Sequence, residues 1–352
     1  MPTTYAIPDG RTVMAATTYT GTGAVQSISN AVNGVSMQPD WVWFKRRGAV
    51  ENHWLTDSVR GSTKGLFSNL TDAEATRTDQ LTSFNSNGFS LGADAAGYSN
   101  VSGQSYVAWQ WKAGGTAVSN TAGSITSSVS ANTTAGFSVV AWTGIAGGQQ
   151  TVGHGLGVAP VFIISKNRTD SATDWYTAAG FLPGWNYSSD YLRLNSTAAK
   201  ATDGGGTVFP VAPTSTVFTV GDAATNGSGK NYVAYCFAPV AGYSAFGSYT
   251  GNGSTDGPFV YLGFRPRFIM IKRTDSTEVW GMWDTSRDPY NTMPDYLIAN
   301  LSNSEAAPGN VQIDSLSNGF KVRNTWVGYN ASGGTYIYMT FAENPFKYAN
   351  AR

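Results

Sequence analysis

The sequence predicts an all-β protein made of three tandem, divergent antiparallel β-sandwich units of jelly-roll-like type. Three observations carry that expectation. The 352 residues include 41 Gly and 14 Pro beside 17 Phe, 18 Tyr and 11 Trp, so turns are frequent and strand-favouring aromatics abundant. A heptad Asn-x-Ser-Gly-x-x-Tyr recurs at Asn100–Tyr106, Asn226–Tyr232 and Asn330–Tyr336. An apolar run bracketed by Pro and Lys precedes it each time, at Pro39–Lys45, Pro160–Lys166 and Pro266–Lys272. Landmarks recurring in a fixed order mark a repeated supersecondary unit.

Residues 1–17 carry little apolar content and are expected to form an N-terminal arm that orders only against a partner. Units follow at 18–113, 137–240 and 244–352, the last with a C-terminal tail, and a Gly/Ser/Thr linker spans 114–136. That linker alternates weakly through Ser124–Ser130 and could pair as an extra strand. Each unit opens with Tyr19-Thr-Gly21, Trp142-Thr-Gly144 or Tyr249-Thr-Gly251. The Pro-to-Lys run follows, with few polar positions on either face, as in a strand covered on both sides. Asn69-Leu-Thr71, Asn195-Ser-Thr197 and Asn300-Leu-Ser302 have the form of glycosylation sequons, yet their repeated position points to a common turn. Asp57-Ser-Val-Arg60 and Asp284-Thr-Ser-Arg287 recur in the outer units only, which favours a loop-fixing ion pair over chemistry. After each heptad, Val107/Trp109/Trp111, Val233/Tyr235/Phe237 and Ile337/Met339/Phe341 alternate as one apolar face of a strand.

The composition also excludes functions. Lys and Arg number 22 against 22 Asp and Glu, which removes the electrostatic case for nucleic acid or an anionic membrane. The N-terminus lacks the basic and apolar regions of a secretory leader, and no apolar run suits a membrane span. A single cysteine, Cys236, excludes a disulfide framework and a Cys-based zinc site; it lies opposite the apolar face of its strand and is expected to be half-buried and inert. Neither His53 nor His154 has the partners of a triad or a metal set, and no cofactor is expected. Gly227-Ser-Gly-Lys230 lacks the final Ser/Thr of a phosphate loop and leads into a strand. The acidic patch Asp72, Glu74 and Asp79 reads as a solvated loop. No catalytic or metal residue is therefore assigned. Trp185, Tyr187, Trp326 and Tyr329 stand in Gly/Asn-rich surroundings without counterparts in the other units and are the candidate ligand or partner surface.

The motifs together resemble a family of repeat domains from tailed-bacteriophage virion proteins, especially those of marine phages. The first unit carries the resemblance at Tyr19-Thr-Gly, Pro39–Lys45, Asp57-Ser-Val-Arg-Gly61, Asn69-Leu-Thr-Asp-Ala73, Phe84-Asn-Ser-Asn-Gly-Phe89 and Gly103–Lys112. The third carries it at Tyr249-Thr-Gly-Asn-Gly253, Ser317-Asn-Gly-Phe320 and Phe341–Phe346, and the middle unit departs most. The resemblance implies a non-enzymatic virion structural protein, a tail fibre, spike or capsid-surface appendage, assembled in the host cytoplasm. Its partners would be other virion proteins and further copies of itself. Low charge and many sheet edges point to a homo-oligomer, and the appendage context that the resemblance implies makes it a homotrimer. The alternative is a carbohydrate-binding module that recognises a host surface glycan.

Overall fold

Strand, not helix, dominates the chain: 42% of residues are in strands and 2% in helix. The computed structural model describes residues 4–145, 147–221, 224–345 and 348. Apart from the short pair Lys64–Gly65 with Ala75–Thr76, the sheets fall into three sets, each a large antiparallel sheet with a smaller one. In the first set the large sheet runs Met14–Thr20, Ser105–Trp111, Trp41–Arg46, Trp54–Asp57. The third has the same order, Ser244–Thr250, Thr335–Pro345, Phe264–Arg273, Trp280–Asp284, ending on Leu297–Ile298. The second repeats it with Phe137–Thr143, Asn231–Phe237, Phe162–Asn167 and Trp175–Ala179, extended at both edges to eight strands. The Pro-to-Lys run therefore lies between the Tyr-led strand and the strand that follows it, in register at Trp41↔Trp111, Phe162↔Phe237 and Phe268↔Phe341.

The pairing is nested. In each set the first strand pairs with the last, and the second pairs in the small sheet with a later partner: Gln26–Ser29 with Gly88–Leu91, Gln150–Gly153 with Val217–Val220, Phe259–Tyr261 with Gly319–Val322. Such nesting is the jelly-roll element of the expectation, while the plain hairpin from Trp41–Arg46 to Trp54–Asp57 departs from it.

Side-chain alternation then assigns two different cores to the two faces of each large sheet. Val42 and Phe44 of the first set, Ile163 of the second and Ile269 and Ile271 of the third face their own small sheets, forming three separate clusters. The alternate residues, Trp41, Trp43, Phe162, Ile164, Phe268 and Met270, enter one cluster that all three sets share. There the Trp41 ring stacks on Trp111 of its own set at 4.4 Å and on Tyr235 of the second at 4.1 Å. Trp111 meets Phe341 of the third at 5.7 Å and Phe341 meets Phe237 at 5.8 Å. The sets are thus not three beads in a row. Burial on both faces explains why the Pro-to-Lys runs are apolar throughout.

Two boundaries and one burial differ from the sequence reading. Met14–Thr17 belong to a strand paired with Ser105–Trp111, and Ile7, Val13, Met14 and Ala16 join the shared core, so residues 7–17 of the expected arm 1–17 are part of the fold. The expected linker 114–136 contributes Val118–Asn120 and Ser127–Asn132 to the edge of the second large sheet, because its Ser/Val alternation suits an edge strand. Cys236 is fully rather than half buried, since its face packs on the second set's small sheet. Of the Phe341–Phe346 motif, Phe346 lies outside the described residues.

Candidate functional site

Each recurring polar motif finds a structural partner. The heptad tyrosine stacks on the aromatic residue of the Tyr/Trp-Thr-Gly motif in all three sets: Tyr19 on Tyr106 at 5.3 Å, Trp142 on Tyr232 at 5.2 Å, Tyr249 on Tyr336 at 4.9 Å. The hydroxyls of Tyr106, Tyr232 and Tyr336 accept the N–H of Val101, Gly227 and Ala331. The heptad asparagines accept a backbone N–H from the opposite loop, at Thr22, Ile145 and Asn252. Gly21, Gly144 and Gly251 sit so close to that turn that a Cβ would fall 2.3 Å from the carbonyl oxygens of Val101, Gly227 and Ala331. Only glycine fits there.

The residues that end the Pro-to-Lys strands build the seams between sets. Lys45 donates to the carbonyls of Arg46 (2.9 Å) and Ser302 (3.3 Å). Lys166 donates to Asn167 and Thr71 carbonyls and to the Thr173 hydroxyl at 2.9, 3.3 and 2.6 Å. Lys272 donates to the carbonyls of Thr197 (3.0 Å) and Glu278 (2.7 Å). Ser302, Thr71 and Thr197 are the last residues of the three sequon-like turns. The first set thus reaches the third, the second reaches the first, and the third reaches the second, closing a ring. Burial pulls Lys45 and Lys166 down to about 8 and Lys272 to about 7. The sequon asparagines are themselves committed: Asn69, Asn195 and Asn300 accept the backbone N–H of His53, Trp175 and Trp280.

Two seams also hold a buried ion chain. Arg60 Nε lies 2.5 Å from the Asp57 carboxylate and Arg60 Nη1 3.0 Å from Glu74, which Arg168 of the second set grips at 2.8 Å. The Tyr235 hydroxyl of the second set donates to Asp57 at 2.9 Å. At the next seam Arg287 pairs with Asp284 at 2.5 Å and with Glu305 at 2.9 Å, Arg47 of the first set reaches Glu305 at 2.6 Å, and Trp109 Nε1–H donates to Asp284 at 3.0 Å. Burial alone would lower both guanidinium pKa values, but the neighbouring carboxylates outweigh it and hold Arg60 and Arg287 above their usual value. At the third seam the equivalent pair is Ala179 and Leu182, and Met339 replaces Tyr235 and Trp109; all three are in the shared core. Nothing here offers an acid and a base to a substrate. At the rim of the first seam lies a hollow of about 450 Å³, lined by Ser127, Ser128, Thr143, Asn231 and Arg168, which can hydrogen-bond a ligand.

The residues singled out in the sequence are not brought together. Tyr329 is fully buried in the short helix Val327–Asn330, with Trp326 at 4.9 Å and nearly perpendicular. The expected surface there is corrected, because Tyr329 fills the third set's own core. Trp185 and Tyr187, centroids 6.3 Å apart and steeply tilted, are half-buried against the second set's core and form no flat platform. His154 is buried, its Nδ1 accepting the Leu156 N–H and its Nε2 facing the Thr214 carbonyl. Glu74 is bound into the ion chain, Asp79 accepts the Ala95 N–H, and Asp72 is exposed. Lys230 pairs with Asp170 at 2.7 Å. Among the described residues no group of three or more His, Cys, Asp or Glu is placed to share a metal, and no helix is long and apolar enough to cross a membrane. The lysine ring escaped the sequence reading, although a Lys ending three equivalent strands was its visible signal.

These contacts define a single-chain, ring-closed β assembly in which the repeated residues serve the seams. Residues 10–345 match one family model, described as a domain of unknown function (DUF7483), and the chain belongs to that family. The match runs across all three sheet sets, in keeping with the core they share. No curated protein and no solved structure matches the chain.

Proposed function

We propose that the chain is a structural protein of a tailed-phage virion, a tail fibre, spike or capsid-surface appendage, acting through shape and surface rather than catalysis. The observation that carries this reading is the lysine ring. The Tyr-Thr-Gly, Pro-to-Lys, Asp-Ser-Val-Arg, Asn-Leu-Thr and Tyr-led motifs behind the resemblance to phage virion repeats are engaged in closing turns or joining sets, which is what a durable scaffold requires. Packing three sets within one chain leaves the outer faces for other virion proteins and for further copies of the chain in a homotrimer. Residence in the particle, after assembly in the host cytoplasm, follows from this reading. The test is mass spectrometry of gradient-purified particles together with immunogold labelling. Stoichiometric copies at a fixed place on the particle are expected, and absence from purified particles would overturn the proposal.

A further inference from the structure

The three small sheets share a backbone and differ in what they present outward. Val260 of the third set faces inward opposite Phe320, as Ile28 does opposite Phe89 and Val152 opposite Phe218. On the outward positions either side of it the first set has Ser27 and Ser29, and the second has Thr151 and Gly153. The third has Phe259 and Tyr261, 45% and 57% exposed. Small polar residues serve this place in two sets: Ser27 bonds Ser90 at 2.9 Å, and Thr151 accepts the Ser124 N–H at 2.8 Å. The fold therefore does not call for two aromatic rings here, and exposing them is costly.

The strand beside the rings carries Lys321, which leads to polar groups suited to a ligand. Phe259 pairs with Lys321 and Tyr261 with Gly319, and the Phe259 ring packs so closely on Gly319 that a Cβ there would fall 3.1 Å from it. Lys321 in turn pairs with Asp314 and holds Asp256 at 2.8 Å. Asp256 and Arg323 border a hollow of about 460 Å³ with Thr255, Thr292 and Gln312. Two exposed rings, linked through Lys321 to a hollow that offers a carboxylate, an amide and a guanidinium, match a sugar: the apolar face of a pyranose stacks on an aromatic ring, and its hydroxyls take and give hydrogen bonds to planar polar groups. A protein partner would want a wider apolar surface than two rings.

We infer that the outer face of the third small sheet, centred on Phe259 and Tyr261 with Asp256, Gln312 and Arg323, is a saccharide-binding site. It does not depend on the scaffold reading. The test applies the purified full chain to a printed array of bacterial capsular and lipopolysaccharide-derived polysaccharides, then titrates a tetrasaccharide of the strongest responder by calorimetry. Phe259→Ser/Tyr261→Ser installs the first set's residues and should keep the wild-type melting temperature while weakening binding about tenfold or more. Asp256→Ala/Arg323→Ala should weaken it similarly, and Ser27→Ala/Ser29→Ala should not. The inference is overturned if the folded chain binds nothing on the array, or if Phe259→Ser/Tyr261→Ser binds as well as wild type. It is equally overturned if sedimentation shows that this variant dissociates an oligomer, since the face would then join copies of the chain.

Discussion

His53 of the first sheet set sits 2.8 Å from the carbonyl oxygen of Ile298 in the third, the place that Trp175 and Trp280 fill with an indole N–H toward Phe67 and Arg193. Its tautomer follows from its other neighbour. Trp43 Nε1–H, a donor only, lies 2.8 Å from His53 Nδ1, so Nδ1 accepts and the proton is on Nε2. The imidazole is thus a neutral stand-in for tryptophan at one seam of three.

Acid should find that stand-in. Burial, helped by Lys45, holds His53 well below the usual imidazole value, so it stays neutral in the folded chain. The unfolded chain takes up the proton first as pH falls below about 6.5, and stability drops by up to about 1.4 kcal/mol per pH unit. His53→Gln, which can accept at one end and donate at the other, should flatten that slope. Urea melts between pH 4.5 and 7.5 measure both, and an equal slope in the variant would disprove the assignment.

The Asp57–Arg60 pair invites an exchange with its apolar counterpart. Removing one member of a buried pair leaves an uncompensated charge, so Arg60→Leu should cost about 3–5 kcal/mol. Asp57→Ala/Arg60→Leu/Tyr235→Met reproduces the Ala179, Leu182 and Met339 arrangement of the third seam and should recover most of that loss. Chemical denaturation of the three proteins decides it; a triple variant as unstable as the single one would show that the seams are not interchangeable.

The existence of the strands and their apolar face were legible because the period-2 alternation of Val107/Trp109/Trp111 and its two counterparts is strong and recurs. What covers that face was not. Trp41 stacks on Tyr235 across almost two hundred residues of sequence, and alternation says only that a face is apolar. Met14-Ala-Ala16 looked too small for a strand, and its burial comes from the pairing with Trp109 and Trp111. Trp326 and Tyr329 were singled out because they lack counterparts, which is uniqueness rather than exposure. Phe259-Val-Tyr261 resembles any strand in sequence; comparing equivalent positions with Ser27/Ser29 and Thr151/Gly153 is the signal that sets the two rings apart.

The lysine ring makes a pH prediction of the same sign on the alkaline side. Lys272, lowered by burial to about 7 against 10.5 for the free side chain, binds its proton more weakly folded than unfolded. Between these values the unfolded chain carries more protons, so this group adds stability as pH rises, and adds no slope below about 7 or above about 10.5. Lys45 and Lys166 act in the same sense from about 8. Lys272→Met should reduce the rise in melting temperature between pH 7 and 10 relative to wild type. An unchanged profile would place the Lys272 ammonium at its ordinary value.

The shared core makes the strongest demand. If the sets were independent sandwiches, residues 18–113, 137–240 and 244–352 would each fold when expressed alone. In the chain, however, Trp41, Trp43, Trp109 and Trp111 of the first set are wholly buried, and their face is covered by the second and third sets. Released alone, a set would expose this aromatic face, a patch far beyond what soluble monomers usually carry. It would also leave Arg60 without Tyr235 and Lys45 without the Ser302 carbonyl. Each isolated set should therefore be unfolded, aggregated or strongly binding to a hydrophobic dye, while the full chain melts in one cooperative transition. The three fragments are compared with the whole by calorimetry and tryptophan fluorescence. A single set that melts cooperatively with blue-shifted, quencher-protected tryptophans would show that the shared core is not what holds the fold.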